Sequence, residues 1–575
     1  ANNGSVTDIH FRQNVVKASV QGTIATPYQV NVQIPEFSQG DKGVLEGLIL
    51  DNPLILSKLL NRELPSELYE LAQRENIHIF PNTWKDVDMK CSCPDMAVPC
   101  KHLASVIYII ANEIDRNPFI VFQLHGFDVL KVLEQRGYTP GETTVFIPTL
   151  YEYVCKDIEA SGEEVIDISE IDLSIIPELY SGLLSMLDDQ PLFYDGNFKK
   201  RLETCYRKVK KLVPSYLSSI RRAEEEGLHY DHFVDYELFI QEDMTHFESV
   251  LYSEVNPKSY AYESGLEQLV QFLENIPQKE VALLSKPLRA LHKVYSFSLK
   301  LLSQGAYIPE IIQDSESYYI LRWIPALVNE QVKNVFDNLK KAIPAKTVHM
   351  LADAKEDFFF SSNDQLNILV SEFLRFFIQK AAVNFQKSGD VVESFFFGVK
   401  KYRFDGLGEV EIPQTVKRWM SKLHIHLKNF VPLLKVEEEE ATFTLDVLVE
   451  NREKPYEEPV RLEEFLSWDR QKSSQTEVLK DLTLLASSFP QLETIIRASG
   501  KQKLTFNSEE FTPVLLQILP LIKMYGIRIL LPNSLKNIVR PKPTLKLQKN
   551  TTTSSNKSFL SLDKMLDFHW QVALG

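Results

Sequence analysis

Apolar and polar residues alternate strictly near the start of the chain. Val16, Ala18 and Val20 alternate with Lys17, Ser19 and Gln21. After a turn over 22–27, Tyr28, Val30, Val32 and Ile34 alternate with Gln29, Asn31 and Gln33. Period two across a short polar connection predicts a β-hairpin within a strand region over 5–35. Helical spacing then takes over and predicts short helices at 42–60 and 65–74. Pro65 suits the first turn of the second. A short strand is expected at 77–80 and an apolar helix at 103–115.

From 119 to 435 the pattern is mostly helical, with examples at 175–187, 198–212, 266–276, 287–302 and 365–382, and no repeat of fixed period. The acidic run 437–440 reads as a solvated hinge. Beyond it Phe443, Leu445, Val447 and Val449 alternate as a strand. Helices at 474–488 and 508–524 and strands at 503–507 and 527–531 complete an α+β pattern.

Charge narrows the function. The formal net charge is −15, so nucleic acid cannot be held by bulk charge and any contact needs a local basic patch. The five cysteines are odd in number, and three fall within ten residues. That excludes a disulfide framework and points to a reducing, cytoplasmic setting. Cys155 and Cys205 stand alone and read as buried thiols. The most apolar stretch, 512–532, is interrupted by Pro520, Lys523 and Arg528, so no membrane span is expected. The chain opens without a methionine or secretory leader and closes on apolar residues 568–574. The expectation is a piece of a longer protein.

The remaining chemistry lies in Lys90-Cys91-Ser92-Cys93-Pro94-Asp95-Met96-Ala97-Val98-Pro99-Cys100-Lys101-His102, a C-x-C-x6-C-x-H pattern. Side chains at i and i+2 of a strand share a face, so Cys91 and Cys93 can grip one ion from a strand end. The loop, stiffened by Pro94 and Pro99, returns Cys100 and His102 as a helix begins. Three thiolates and one imidazole suit zinc and fill its tetrahedral shell, which predicts one structural rather than catalytic zinc. The shell carries one net negative charge, and Lys90 and Lys101 flank it.

This pattern, followed by an apolar helix, resembles the SWIM zinc finger of Swi/Snf-type ATPases, some transposases and recombination-mediator proteins. The finger's ligands transfer onto Cys91, Cys93, Cys100 and His102. The preceding hairpin resembles the segment before the finger in bacterial members, so the resemblance covers residues 5 to about 130. At the other end, Leu560 to Gly575, and Ile529-Leu530-Leu531-Pro532, are similar to the helicase-associated region of bacterial Swi/Snf-type helicases. The resemblance implies a non-catalytic region of such a helicase, with an ATPase domain downstream in the same polypeptide and DNA or another nucleic acid as partner. A free-standing SWIM adaptor or recombination mediator without a motor is the alternative.

The fold class expected is mixed α+β, predominantly helical. A hairpin plus zinc-finger module would occupy 1–118, a long helical region 119–436, and a helicase-associated α+β domain 441–575. No G-x-x-x-x-G-K-[ST] phosphate loop, G-x-S-x-G elbow or H-E-x-x-H pair is present, and Gly406-Leu407-Gly408 lacks a third glycine. The chain is therefore expected not to be an enzyme by itself.

Two basic groups are candidates for phosphate contact. One is Lys199, Lys200, Arg201, Arg207, Lys208, Lys210 and Lys211; the other is Arg528 with Arg540, Lys542, Lys546 and Lys549. Such runs are usually solvated faces. His229, Asp231, His232 and Asp235 form a weaker cluster, read as solvated helix surface. His424 and His426 would share a face only in extended chain. The Phe358 to Phe360 and Phe395 to Phe397 runs read as core.

Overall fold

The N-terminal alternation becomes an antiparallel sheet of four strands in chain order: β1 (Val6–Arg12), β2 (Val15–Val20), β3 (Tyr28–Gln33) and β4 (Asp88–Cys91). The hairpin register pairs Val20 with Tyr28 and Val16 with Val32, as the pattern requires. The computed structural model describes residues 6–536 except 24, 96, 137–146, 156–166, 223–232, 242–245, 254–260, 315–316, 345–346, 352–357, 361, 384–388, 399–400, 407–408, 441, 455 and 469–471.

Between β3 and β4 lie three helices, α1 (Gln39–Leu50), α2 (Pro53–Leu60) and α3 (Ser66–Arg74). The single helix expected at 42–60 is two. Asn52 caps the second through its side-chain oxygen, and Pro53 has no amide to continue the first. The strand expected at 77–80 does not form. Ile77 and Ile79 are instead buried anchors of an irregular segment.

After the metal loop comes α4 (Lys101–Arg116). Its buried residues, His102, Leu103, Val106 and Ile110, fall on one stripe that packs on Val16, Val30 and Val32 of the sheet. α5 (Phe119–Leu124) and α6 (Val129–Gln135) follow. Phe119, Phe122 and Leu133, assigned to the middle region from sequence, pack with Leu45, Ile49 and Leu59 in the N-terminal core.

The middle region is helical as expected at Phe198–Arg222, Lys286–Gln304 and Ser362–Ala381. It also holds a six-stranded sheet. Its order is Val154–Cys155, Phe358–Phe360, Val348–Leu351, Phe233–Gln241, Phe247–Ser253 and Ala261–Ser264. A separate ribbon pairs Tyr307–Gln313 with Tyr319–Pro325. The chain is thus mixed α and β, about half helical, with small sheets. Buried within this region, Glu310 Oε2 lies 2.5 Å from Arg322 Nε, and the Arg322 guanidinium stacks 4.4 Å from the Tyr153 ring centre.

The acidic run at 437–440 is not a hinge. It ends strand Phe430–Glu439, which pairs along its whole length with Thr442–Asn451, and Glu440 turns the chain with φ of 46°. The helix expected at 508–524 forms over that whole span, with a wider π turn at Val514–Ile518, where Pro513 and Pro520 remove amide donors. The N-terminal helices dock on this C-terminal part. Ser57 Oγ lies 2.7 Å from Thr483 Oγ1, Asn61 Nδ2 donates to Lys480 O at 2.9 Å, and Lys58 pairs with Glu493 at 2.8 Å. Among the described residues no helix is long and apolar enough to cross a membrane.

Candidate metal centre

Strand β4 pairs with β3 up to Cys91, opposite Val30, and Ser92 N donates to Gln29 O at 3.0 Å. This pairing holds Cys91 at the strand end and aims the next turn inward. Cys100 then caps α4, its carbonyl accepting from Ala104 N at 2.9 Å, and His102 lies in the helix's first turn. The four donor atoms of Cys91, Cys93, Cys100 and His102 lie within 4.8 Å of one another. Sequence spacing located all four.

The spacings fit one ion. A tetrahedron with zinc–sulfur bonds of about 2.3 Å and zinc–nitrogen bonds of about 2.0 Å has edges of about 3.5–3.8 Å. Here Cys93 Sγ and Cys100 Sγ are 3.6 Å apart. His102 Nδ1 is 3.9 Å from Cys91 Sγ and 4.0 Å from Cys100 Sγ. His102 Nδ1 therefore faces the thiols. Its Nε2 is buried without a hydrogen-bond partner, under the Tyr28 ring at a centroid distance of 4.5 Å.

Two residues that the sequence did not single out shape this pocket. A methyl group on Gly22 would sit 2.5 Å from Tyr28 Cε2 and 3.4 Å from His102 Nε2. Only a glycine leaves room there for Tyr28 to lie over the imidazole. The small residue in the turn was visible in sequence, but its contact with a residue eighty positions away was not.

The thiols differ electrostatically. Burial, with Cys93 and Cys100 close by, pushes the Cys91 thiol up to about 12. Burial also opposes ionisation of Cys100, yet hydrogen bonds from the Leu103 amide, the Cys93 thiol, the His102 amide and the Cys91 thiol together outweigh it and lower that thiol. Lys90 is engaged with Asp88 at 2.9 Å, and Lys101 is exposed at the first helical position.

The basic group at 199–211 lies on helix Phe198–Arg222, and much of its charge is paired. Lys199 meets Asp189 at 2.6 Å, Arg201 meets Glu393 at 2.9 Å, and Lys210 meets Glu178 at 2.9 Å. Arg207 pairs with Glu203 one turn away. Lys200, Lys208 and Lys211 share the helix. Arg528 lies beside Glu450 at 3.3 Å.

Buried His424 and His426 end a short helix and enter a tight turn. No group of three or more ligands gathers around them or around Asp235 among the described residues. Phe395, Phe396 and Phe397 are core, as is Phe360. His229, Asp231, His232, Arg540, Lys542, Lys546, Lys549 and the stretch from Leu560 to Gly575 lie outside the described residues.

A Cys3His cluster on a mixed α/β scaffold defines a candidate metal-binding protein. The comparisons with known proteins add a context. Residues 499–575 match a family described as "SNF2 Helicase protein", and residues 252–405 match a domain of unknown function. The chain is similar to the uncharacterized protein Rv2102 of Mycobacterium tuberculosis, 34% identical over 126 residues. That similarity covers 22% of this chain and 46% of the relative. No solved structure matches.

Proposed function

We propose that this chain is a zinc-holding, non-catalytic interaction region of an SNF2-type helicase, with Cys91, Cys93, Cys100 and His102 forming a SWIM-type finger. The convergence of four soft donors within 4.8 Å carries the reading, and the SNF2 match at 499–575 supplies the helicase context. Bound zinc would supply a closed structural shell and no reactive position. The protein's own residues do the rest. β4 and α4 present the ligands, Gly22 and Tyr28 cover the imidazole, and Lys101 stands exposed beside the shell.

Nucleic acid is the proposed partner of the finger, and an ATPase domain in the same polypeptide is the proposed partner of the whole. Ion pairing on helix Phe198–Arg222 favours the finger over that helix as the phosphate contact. Elemental analysis should find about one zinc per chain. Duplex DNA binding at low salt should weaken with a log–log slope of about 0.9 per phosphate contact. Lys101→Glu should flatten that slope, while Lys200→Glu should not. A zinc-free folded chain would refute the finger. A slope sensitive only to Lys200 would move the interface to the helix. ATP turnover by the purified chain would refute the non-catalytic assignment.

A further inference from the structure

Helix α4 has a second face, which its packing leaves free. His102, Leu103, Val106 and Ile110 turn toward the sheet. On the opposite side Lys101, Ser105, Tyr108 and Asn112 follow at i, i+4, i+7 and i+11, with Ala104 at i+3, so all five lie on one stripe. Tyr108 is 58% exposed, and Lys101, Ala104 and Asn112 are exposed too. An alanine side chain ends one carbon beyond the backbone. For Ala104 to be exposed, nothing among the described residues can rise above the helix there.

The side chains on this stripe are idle. Among the described residues, those of Lys101, Tyr108 and Asn112 make no hydrogen bond or ion pair. Ser105 only bonds back to Lys101 O at 2.9 Å, which leaves its hydroxyl able to accept. The local charge also departs from that of the chain. Asp and Glu make up 78 of the 575 residues, yet none falls within 96–112. None falls within 15–34 either, the stretch that supplies β2 and β3 beneath α4. Lys17 and Lys101 are the cations of those two stretches. Asp115, exposed one turn past Asn112, marks where the stripe ends.

Shape and residue type select the partner. The major groove of B-form DNA is about 12 Å wide and admits an α-helix about 10–12 Å across. A minor groove about 6 Å wide excludes one. A single strand is held mainly by stacking on aromatic rings, and this stripe has one ring. Resting on the reading of the finger as a nucleic-acid contact, we propose that α4 is a recognition helix that enters the major groove of duplex DNA and selects sequence there. Lys101 and the Tyr108 hydroxyl contact phosphates and fix the register. Asn112 reads adenine through N6 and N7, Ser105 contacts a base edge, and the Ala104 methyl group packs on a thymine methyl. From Ala104 to Asn112 the helix rises about 12 Å, the length of about four base pairs at about 3.4 Å each.

The test is selection by the full chain, at low salt, from a pool of duplexes randomised over about ten base pairs, more than twice the span of the stripe. The pool should converge on a site of about four base pairs that includes an adenine. By fluorescence anisotropy the selected duplex should bind on the order of tenfold more tightly than its scrambled counterpart, the range of one bidentate base contact. Asn112→Ala should lose the adenine from the selected site and close most of that gap. Its affinity for the scrambled duplex, its zinc content and its melting temperature should stay unchanged. Tyr108→Phe should weaken both duplexes alike, as loss of a phosphate contact does. Binding without convergence of the pool, or a gap untouched by Asn112→Ala, would overturn the recognition helix and leave the nucleic-acid reading standing. Tighter binding to the separated single strand would do the same. No binding to either duplex or single strand at low salt would overturn both.

Discussion

Removing the metal should unfold a local segment and leave the rest of the chain standing. The loop over 92–99 buries little of its own: among its described residues only Cys93 is buried. Ordering its eight residues costs about 8–16 kcal/mol at about 1–2 kcal/mol each. Structural zinc contributes about 10–16 kcal/mol of apparent binding energy at neutral pH. The two terms are of one size, so the loop should be ordered only while the ion is held. Cys100→Ser removes a ligand but keeps the backbone cap of α4, and Ser is itself a favoured cap, so disorder should stop at the start of that helix. Amide exchange with and without chelator reads this directly. Losing even a quarter of about 10 kcal/mol speeds exchange about seventyfold through local opening. Protection should fall over 88–104 and stay unchanged in the paired strands Phe430–Glu439 and Thr442–Asn451. Unchanged protection at 88–104 after complete chelation would refute the reasoning, as would loss of protection everywhere at once.

Other outcomes follow from the scaffold. Glu310→Leu leaves Arg322 buried without its partner and should destabilise by about 3–5 kcal/mol, whereas Glu310→Leu with Arg322→Met should recover most of that. Denaturant midpoints test this, and a double variant no better than the sum of the singles would contradict it. Burial holds His292 and His424 down to about 4. Their folded values lie below the unfolded value of about 6.5, so protons favour the unfolded chain. Stability should be full above about pH 6.5 and fall as pH drops toward 4, and His292→Leu should make that fall shallower; an identical pH profile would be evidence against it. Gly500 has φ of +77°, and a methyl there would sit 2.6 Å from Glu463 N. Gly500→Ala should therefore lower the melting temperature, by more than the left-handed penalty of about 1–2 kcal/mol alone implies.

What could be read from sequence was what is local in it. The four metal ligands fall within twelve residues, and the hairpin's alternation runs over 16–21 and again over 28–34 on either side of one short turn. The six-stranded sheet was hidden for a physical reason. Its edge strand Val154–Cys155 has two residues and Phe358–Phe360 has three, too few to establish a period. Tyr307–Gln313 is buried at its first six positions, so it shows no alternation and reads like part of a buried helix. A cleft of about 1190 Å³ between α4 and Trp419 was beyond reach because its walls come from segments hundreds of residues apart. Arg62 has no sequence neighbour that signals burial; it is covered by Phe119 and Arg418 from elsewhere. Paired acids likewise decide what the basic helix can offer, and Asp189, Glu178 and Glu393 reach it from other parts of the chain.

The contacts of Ser57, Lys58 and Asn61 with Thr483, Glu493 and Lys480 join residues more than four hundred positions apart. Leu54 extends the joint into the large core cluster that runs through the middle and C-terminal parts. The backbone path thereby becomes a closed ring in space. A single protease cut in the middle region would open the ring without releasing either part. The products should then migrate together under native conditions and separate only in denaturant. Two fragments expressed apart should find each other through this seam, because the surface that recognises the N-terminal helices belongs to the other end of the chain.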